Sequence, residues 1–185
     1  MSPAAGARTE LRGTYLDALY LSTLILAAGA HPFYSRMDTT LADLPRFGLR
    51  YSGLIWDNRL RPMKDPEQRV RFGNGVGERL LHWQRLAGLV DHGDGRRRLI
   101  LHLINAPAED RVLRNPGMKT SPPLRDFPLR ISLPEEARVQ GVWHVPSTET
   151  ISHSMLPHQR DATGVNVVVP EVRFWTVVTV DYIDR

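Results

Sequence analysis

The side chains best suited to chemistry stand in Ala30–Tyr34, AHPFY, and the polar stretch that follows it. His31, Tyr34 and Arg36 place an imidazole, a phenol and a guanidinium in one short span. Pro32 biases His31 away from helix, so the span reads as extended chain after a helix stop. Such a group resembles the rim of a sugar or carboxylate pocket, and these three are the candidate substrate-binding residues. The competing reading has Phe33 and Tyr34 filling a core while His31 bonds a backbone group. Trp83, Trp143 and Trp175 have the same duality. They can form a flat stacking platform for sugars, but each lies in an apolar strand-like segment, which favours core burial.

Catalytic signatures are absent from the sequence. It contains no Gly-x-Ser-x-Gly elbow, no phosphate-cradling glycine loop and no His-Glu-x-x-His pair. Of the seven histidines, only His153 and His158 approach ligand spacing, in ISHSMLPHQRD with Pro157 between them. A solvated loop explains that pair better than a transition-metal site, so no metal and no cofactor is expected. Glycoside hydrolysis needs two carboxyl groups from different elements converging within roughly 5–10 Å. Asp38, Asp43, Asp57 and the Glu135-Glu136 pair read instead as solvated surface, and no catalytic residue is assigned.

The elements that must position these groups fall into two kinds. From Thr14, Leu16, Leu19, Tyr20, Leu24 and Ala27 recur at helical spacing, with Gly29 as a stop. Tyr15–Ala30 is too short, and too interrupted by Asp17, for a membrane span of about 20 residues. A buried amphipathic helix is preferred there over a signal peptide or anchor. A second helix is expected from about Thr39 to Asp57, split at Pro45 or Gly48. Asn58–Gly77 has the composition of a linker. Strands are then expected at Leu80–Leu86, Arg97–Ile104, Leu129–Leu133, Val139–Val145, Val165–Val169 and Val172–Tyr182. Asp94-Gly95 marks a hairpin turn, and Pro134-Glu135-Glu136 a compact polar loop. Asn105–Phe127 is a long proline-rich excursion, either functional or a crossing between sheets. Both alternating faces of Leu99–Ile104 are apolar, as for a central strand between two layers, and a two-sheet sandwich follows.

The chain has 185 residues and no cysteine, which excludes disulfides, thiolate metal sites and a cysteine nucleophile. Its net charge is +4, with lysine only at Lys64 and Lys119. The arginines are scattered apart from Arg96–Arg98, so surface solvation is favoured over a nucleic-acid interface. Neither nucleic acid nor membrane is expected as a partner.

Three stretches carry a family resemblance: LILHLINAP (Leu99–Pro107), VQGVWHVPSTE (Val139–Glu149) and VVVPEVRFWTVVTVD (Val167–Asp181). They resemble the C-terminal region of glycoside hydrolases that join a (β/α)8 barrel to a β-sandwich. The similarity is greatest to the dextranase and cycloisomaltooligosaccharide glucanotransferase family, glycoside hydrolase family 66. Pro170, Val172 and Trp175 fill the closing strand pattern, with Val172 in place of the usual leucine. LILAAGAHPFY (Leu24–Tyr34) and YSGLIWDNRLRP (Tyr51–Pro62) resemble the late barrel and its exit.

The resemblance implies an α+β, mostly β fold, with barrel-end helices followed by an antiparallel β-sandwich. It divides the chain into a disordered start (1–13), an incomplete barrel end of two helices and a short strand (14–62), a linker (63–79) and the sandwich (80–185). The family's catalytic carboxylates come from earlier barrel strands, so little activity is expected from this chain alone. The expected partners are an oligo- or polysaccharide, and either the remaining barrel of a longer protein or a second copy. Self-association would run through Leu16, Leu19, Leu24, Leu54 and Ile55. A stand-alone carbohydrate-binding or structural module is the alternative. The protein would be cytoplasmic, or secreted with its parent enzyme.

Overall fold

The computed structural model describes residues 20–30, 43–106, 121–147 and 152–184. Among the described residues ten strands form two antiparallel sheets. The first, sheet A, has the order β1 (Leu60–Pro62), β3 (Ala87–Asp91), β4 (Arg96–Ile104), β10 (Trp175–Ile183), β6 (Arg138–Pro146), β7 (Ser154–Met155). The second, sheet B, has the order β2 (Val70–Phe72), β5 (Leu124–Ser132), β9 (Gly164–Val172), β8 (His158–Asp161). The polypeptide leaves sheet A after β4 and joins sheet B at β5, so the proline-rich excursion connects the sheets. The Pro134 loop returns the chain from β5 to β6.

Alternation along the strands decides what each sheet touches. Leu99, Leu101 and Leu103 of β4, with Val178, Val180 and Tyr182 of β10, face sheet B. They meet Phe127, Leu129 and Ile131 of β5 and Val165, Val167 and Val169 of β9. The opposite face of sheet A presents Ile100, Ile104, Val145, Trp175 and Val177 to a second core. Helices supply the other half of that core. They are α1 (20–27), α2 (Asp43–Arg50) and α3 (Ser52–Ile55), which contribute Tyr20, Leu26, Phe47, Leu54 and Ile55. Strand β4 therefore lies between two layers, as its doubly apolar pattern predicted.

The expected second helix is shorter and broken elsewhere. Pro45 sits in the first turn of α2, where a missing amide donor costs little. The break falls at Tyr51, whose φ of −112° and ψ of 32° depart from helix.

Asn105 ties several elements together. It is 1 % exposed and donates through Nδ2 to the carbonyls of Pro122 (3.0 Å) and Arg173 (3.2 Å). Its own carbonyl accepts from the Tyr20 hydroxyl at 3.0 Å.

Three readings from the sequence need revision. Residues 63–79, expected as a linker, hold β2, which pairs with β5, and bury Met63, Val70 and Val76 in the inter-sheet core. Their composition hid this because a three-residue strand has no room to display a period. Leu80–Leu86 is not a strand; it makes one bridge, Leu80 to Asn105, and then turns. Leu54 and Ile55, expected as sticky exposed positions, are buried against sheet A. Leu24 is partly buried on the same core, whereas Leu16, Leu19 and the start 1–13 lie outside the described residues.

Phe47 is 2 % exposed and its ring lies 4.6 Å from that of Trp175. Replacing Phe47 with Ala is expected to destabilise the fold by about 3–5 kcal/mol, measured as a lower urea midpoint with earlier exposure of tryptophan.

Candidate functional site

On the helix-covered face of sheet A, side chains turn polar where the helices end. Arg98 of β4, Thr179 and Asp181 of β10 and Trp143 of β6 continue the rows of Ile100, Val177 and Val145. With Arg50, Tyr51, Gly53, Leu54 and His153 they line an open cleft of about 350 Å³.

Each wall has a local cause. The break after α2 leaves the Tyr51 ring leaning over the sheet, 5.0 Å from Phe47. Trp143 projects from β6 beside the edge strand β7, opposite Met155. Its indole lies along the sheet over Gly141, where an added Cβ would stand only 3.0 Å from Nε1. The His153 ring, just before β7, is 5.7 Å from Trp143 and 6.3 Å from Tyr51. Its Nδ1 stands 3.5 Å from the Tyr51 hydroxyl. Burial raises the Tyr51 phenol above its ordinary value, against the opposing charge of Arg50.

The floor is an ion pair. Arg98 donates through Nε to Asp181 Oδ1 at 2.5 Å and through Nη2 to Oδ2 at 3.1 Å. The two residues are directly opposed across β4 and β10, which fixes this two-point geometry. The hydrogen bond to Asp181 holds the Arg98 guanidinium above its ordinary value. The other hairpin arginines are matched as well: Arg96 with Asp94, and Arg97 with Asp91 and Asp184.

A second cavity of about 360 Å³ lies between the end of α1, the exit of α3 and β3. Ala27, Ile55, Leu86 and Ile100 line it, together with His102. The His102 ring is 2 % exposed and stacks on Trp175 at 5.8 Å. Burial pushes its pKa down to about 4, with the Leu54 backbone pulling weakly the other way.

The chain aligns with a cycloisomaltooligosaccharide glucanotransferase from Paenibacillus sp., whose structure was determined with cycloisomaltoheptaose bound. The TM-score is 0.67 at 15% identity, over 88% of this chain and 27% of that one. At that identity the likeness is one of fold. An alpha-L-fucosidase isoenzyme 2 from Paenibacillus thiaminolyticus also aligns, at a TM-score of 0.41 and 16% identity, over 80% of this chain and 18% of that one. This chain thus spans about a quarter of the glucanotransferase's length. No family model and no curated protein matches it.

The residues singled out from the sequence fare differently. His31, Tyr34 and Arg36, with Phe33 and Asp38, lie outside the described residues. The three tryptophans do not make one platform, since Trp83 and Trp175 are buried in opposite cores and only Trp143 lines the cleft. His153 precedes β7 of sheet A, whereas His158 lies in β8 of sheet B, its Nδ1 3.2 Å from the Leu156 carbonyl. Among the described residues no three histidine or carboxylate side chains gather as metal ligands. Asp57 is bound by Arg59, which holds its carboxyl down to about 2, the opposite of what a general acid needs. No helix among the described residues is long and apolar enough to cross a membrane.

The sequence reading did not assign Tyr51, Arg98, His153 or Asp181 to a site. The one available signal was the polar interruption of otherwise apolar strands, Arg98 before Leu99–Ile104 and Asp181 after Val180. Register, which sequence does not display, makes them a pair.

His102 gives the fold a pH dependence of known sign. Its pKa is lower in the folded protein than the ordinary 6.5, so the unfolded chain binds the proton more readily. Its contribution is complete above pH 6.5 and is lost as pH falls toward 4, a change of roughly 3 kcal/mol. Urea midpoints across that window should show this slope, and the His102→Leu variant should flatten it.

Proposed function

We infer that this chain is the C-terminal portion of a glycoside hydrolase-like protein, an accessory β-sandwich that supports a carbohydrate-active barrel and has little activity alone. The observation that carries this reading is the extent of the glucanotransferase match. It takes in 88% of this chain but only 27% of that enzyme, a proportion suited to one supporting region of a larger catalyst. Leu99–Pro107, Val139–Glu149 and Val167–Asp181 add the resemblance to glycoside hydrolase family 66.

On this reading residues 14–62 are the end of the barrel and the helical layer continues into it. Leu21 and Leu49, 60% and 74% exposed on the helices, are then contacts for the rest of the barrel. His31, Tyr34 and Arg36 take the place of substrate-rim residues, and the domain travels with its parent enzyme. The pairing of β1 and β2 within the two sheets supports a sandwich that starts near Leu60 rather than residue 80, with the barrel end closing just before it. The chemistry of the described residues supports a supporting role. Asp57 is paired with Arg59, which holds its carboxyl well below the range a general acid needs, and Asp181 is engaged by Arg98.

A second reading, a stand-alone carbohydrate-binding or structural module, is favoured by the aromatic cleft, which needs no barrel to complete it.

The isolated chain should release no reducing sugar from dextran. The native polypeptide from its source cells should contain these peptides at a mass well above 21.0 kDa. A native product of 21.0 kDa would favour the stand-alone module, and turnover by the isolated chain would overturn both readings.

A further inference from the structure

The geometry points to the cleft between Tyr51, Trp143 and His153 as a binding site for a neutral pyranoside. The ring of the sugar lies on the Trp143 indole, and adjacent hydroxyls engage the Arg98–Asp181 pair. The cleft stands on its own geometry; only the choice of a glucosyl ligand rests on the function inferred above.

Three features select this chemistry. The first is a partly exposed indole in a hollow whose walls mix apolar and polar side chains. Trp143 is half-buried, whereas Trp83 and Trp175 are 6% and 1% exposed and have no face to offer. Aromatic rings with a polar handle suit ligands that are apolar on one face and hydroxylated at the edge. The cleft's 350 Å³ falls at the low end of ligand pockets, about 300–1,000 Å³, which suits a mono- or disaccharide unit.

The second feature is the charge balance. Arg98 is neutralised by two hydrogen bonds to Asp181, so a carboxylate or phosphate would have to displace a partner already fixed by strand register. A cation is disfavoured too, because Arg50 shares the hollow with the aromatic walls. A neutral ligand is the one that leaves the Arg98–Asp181 pair intact, and an anion drawn by Arg50 is the alternative that a glucuronide comparator tests.

The third is the pattern of donors and acceptors. The side chains of Arg98 and Asp181 remain 36% and 25% exposed, with guanidinium N–H donors and carboxylate lone pairs next to one another. A hydroxyl both donates and accepts, so two neighbouring hydroxyls can satisfy that pair without breaking it. The Tyr51 hydroxyl and the His153 ring add further polar groups on the opposite wall.

The test is titration of the full chain, followed at the Trp143 indole N–H by NMR. The probes are methyl α-glucopyranoside and isomaltotriose, with methyl α-galactopyranoside, methyl α-glucuronide and choline as neutral, anionic and cationic comparators. A saturable shift with a millimolar dissociation constant is expected for the glucosides. It should disappear in Trp143→Ala and weaken about tenfold in Asp181→Asn. Since loss of Asp181 removes a cross-strand pair, His153→Ala, at the outer edge of the cleft, provides a second variant and should also weaken binding. The Trp175 signal, buried beneath Phe47, reports whether each variant remains folded. Binding of the galactoside with the glucosides silent would uphold a pyranoside site while removing the glucan reading. Silence of every sugar, undiminished binding in Trp143→Ala, or tighter binding of the glucuronide or choline would overturn the site itself.

Discussion

The structure depends on the burial of both faces of sheet A. Its central strands β4 and β10 carry apolar rows on each side, so a two-sheet sandwich alone would leave one row in water. Burying a large aliphatic or aromatic side chain is worth about 1.5–3 kcal/mol. The outer row includes Ile100, Ile104, Val177 and the large indole of Trp175, and leaving it exposed would forfeit a substantial part of a domain's marginal stability. The helices answer this need. Phe47 lies against Trp175, Ile55 and Leu54 fill in beside it, and Tyr20 reaches the Asn105 carbonyl at the end of β4. The helical segment and the sandwich are accordingly one packed unit among the described residues.

The cleft follows from the same constraint. Helices α2 and α3 are shorter than the strands beneath them, so they cover the middle of the sheet and stop. Where cover ends, the outward positions change character, from Ile100 to Arg98, from Val177 to Thr179 and Asp181, from Val145 to Trp143. A line of rings, Trp143, His153, Tyr51, Phe47, Trp175 and His102, runs from the open cleft to the fully buried imidazole. The wet and dry ends of that line belong to one layer boundary.

Charge is handled by local pairing rather than by a basic patch. Arg96, Arg97 and Arg98 look like a cationic cluster in sequence, but alternation turns Arg97 to the face opposite Arg98, and each meets an aspartate. Arg130 meets Asp161 in the same way on sheet B, next to Asn166 and Thr163. Surface guanidinium groups spent in this manner contribute little net stability, but they leave a neutral, directional hydrogen-bonding surface.

The sequence by itself determined the elements whose patterns are long enough to repeat. The nine-residue strands β4, β6, β9 and β10 show their alternation, Asp94-Gly95 marks its hairpin, and the doubly apolar β4 announces two covering layers. Only the tertiary structure decided the rest. Strands β1, β2 and β7 have three residues or fewer, too short to display a period, and β1 and β2 pair with strands well along the chain. Trp83, Trp143 and Trp175 look alike in sequence, and which one keeps an open face depends on where a helix ends above the sheet. Arg98 and Asp181 are separated by most of the sandwich and become one ion pair through register alone. Periodicity is a local property and convergence is not, which is why the layers could be read from the chain and the cleft could not.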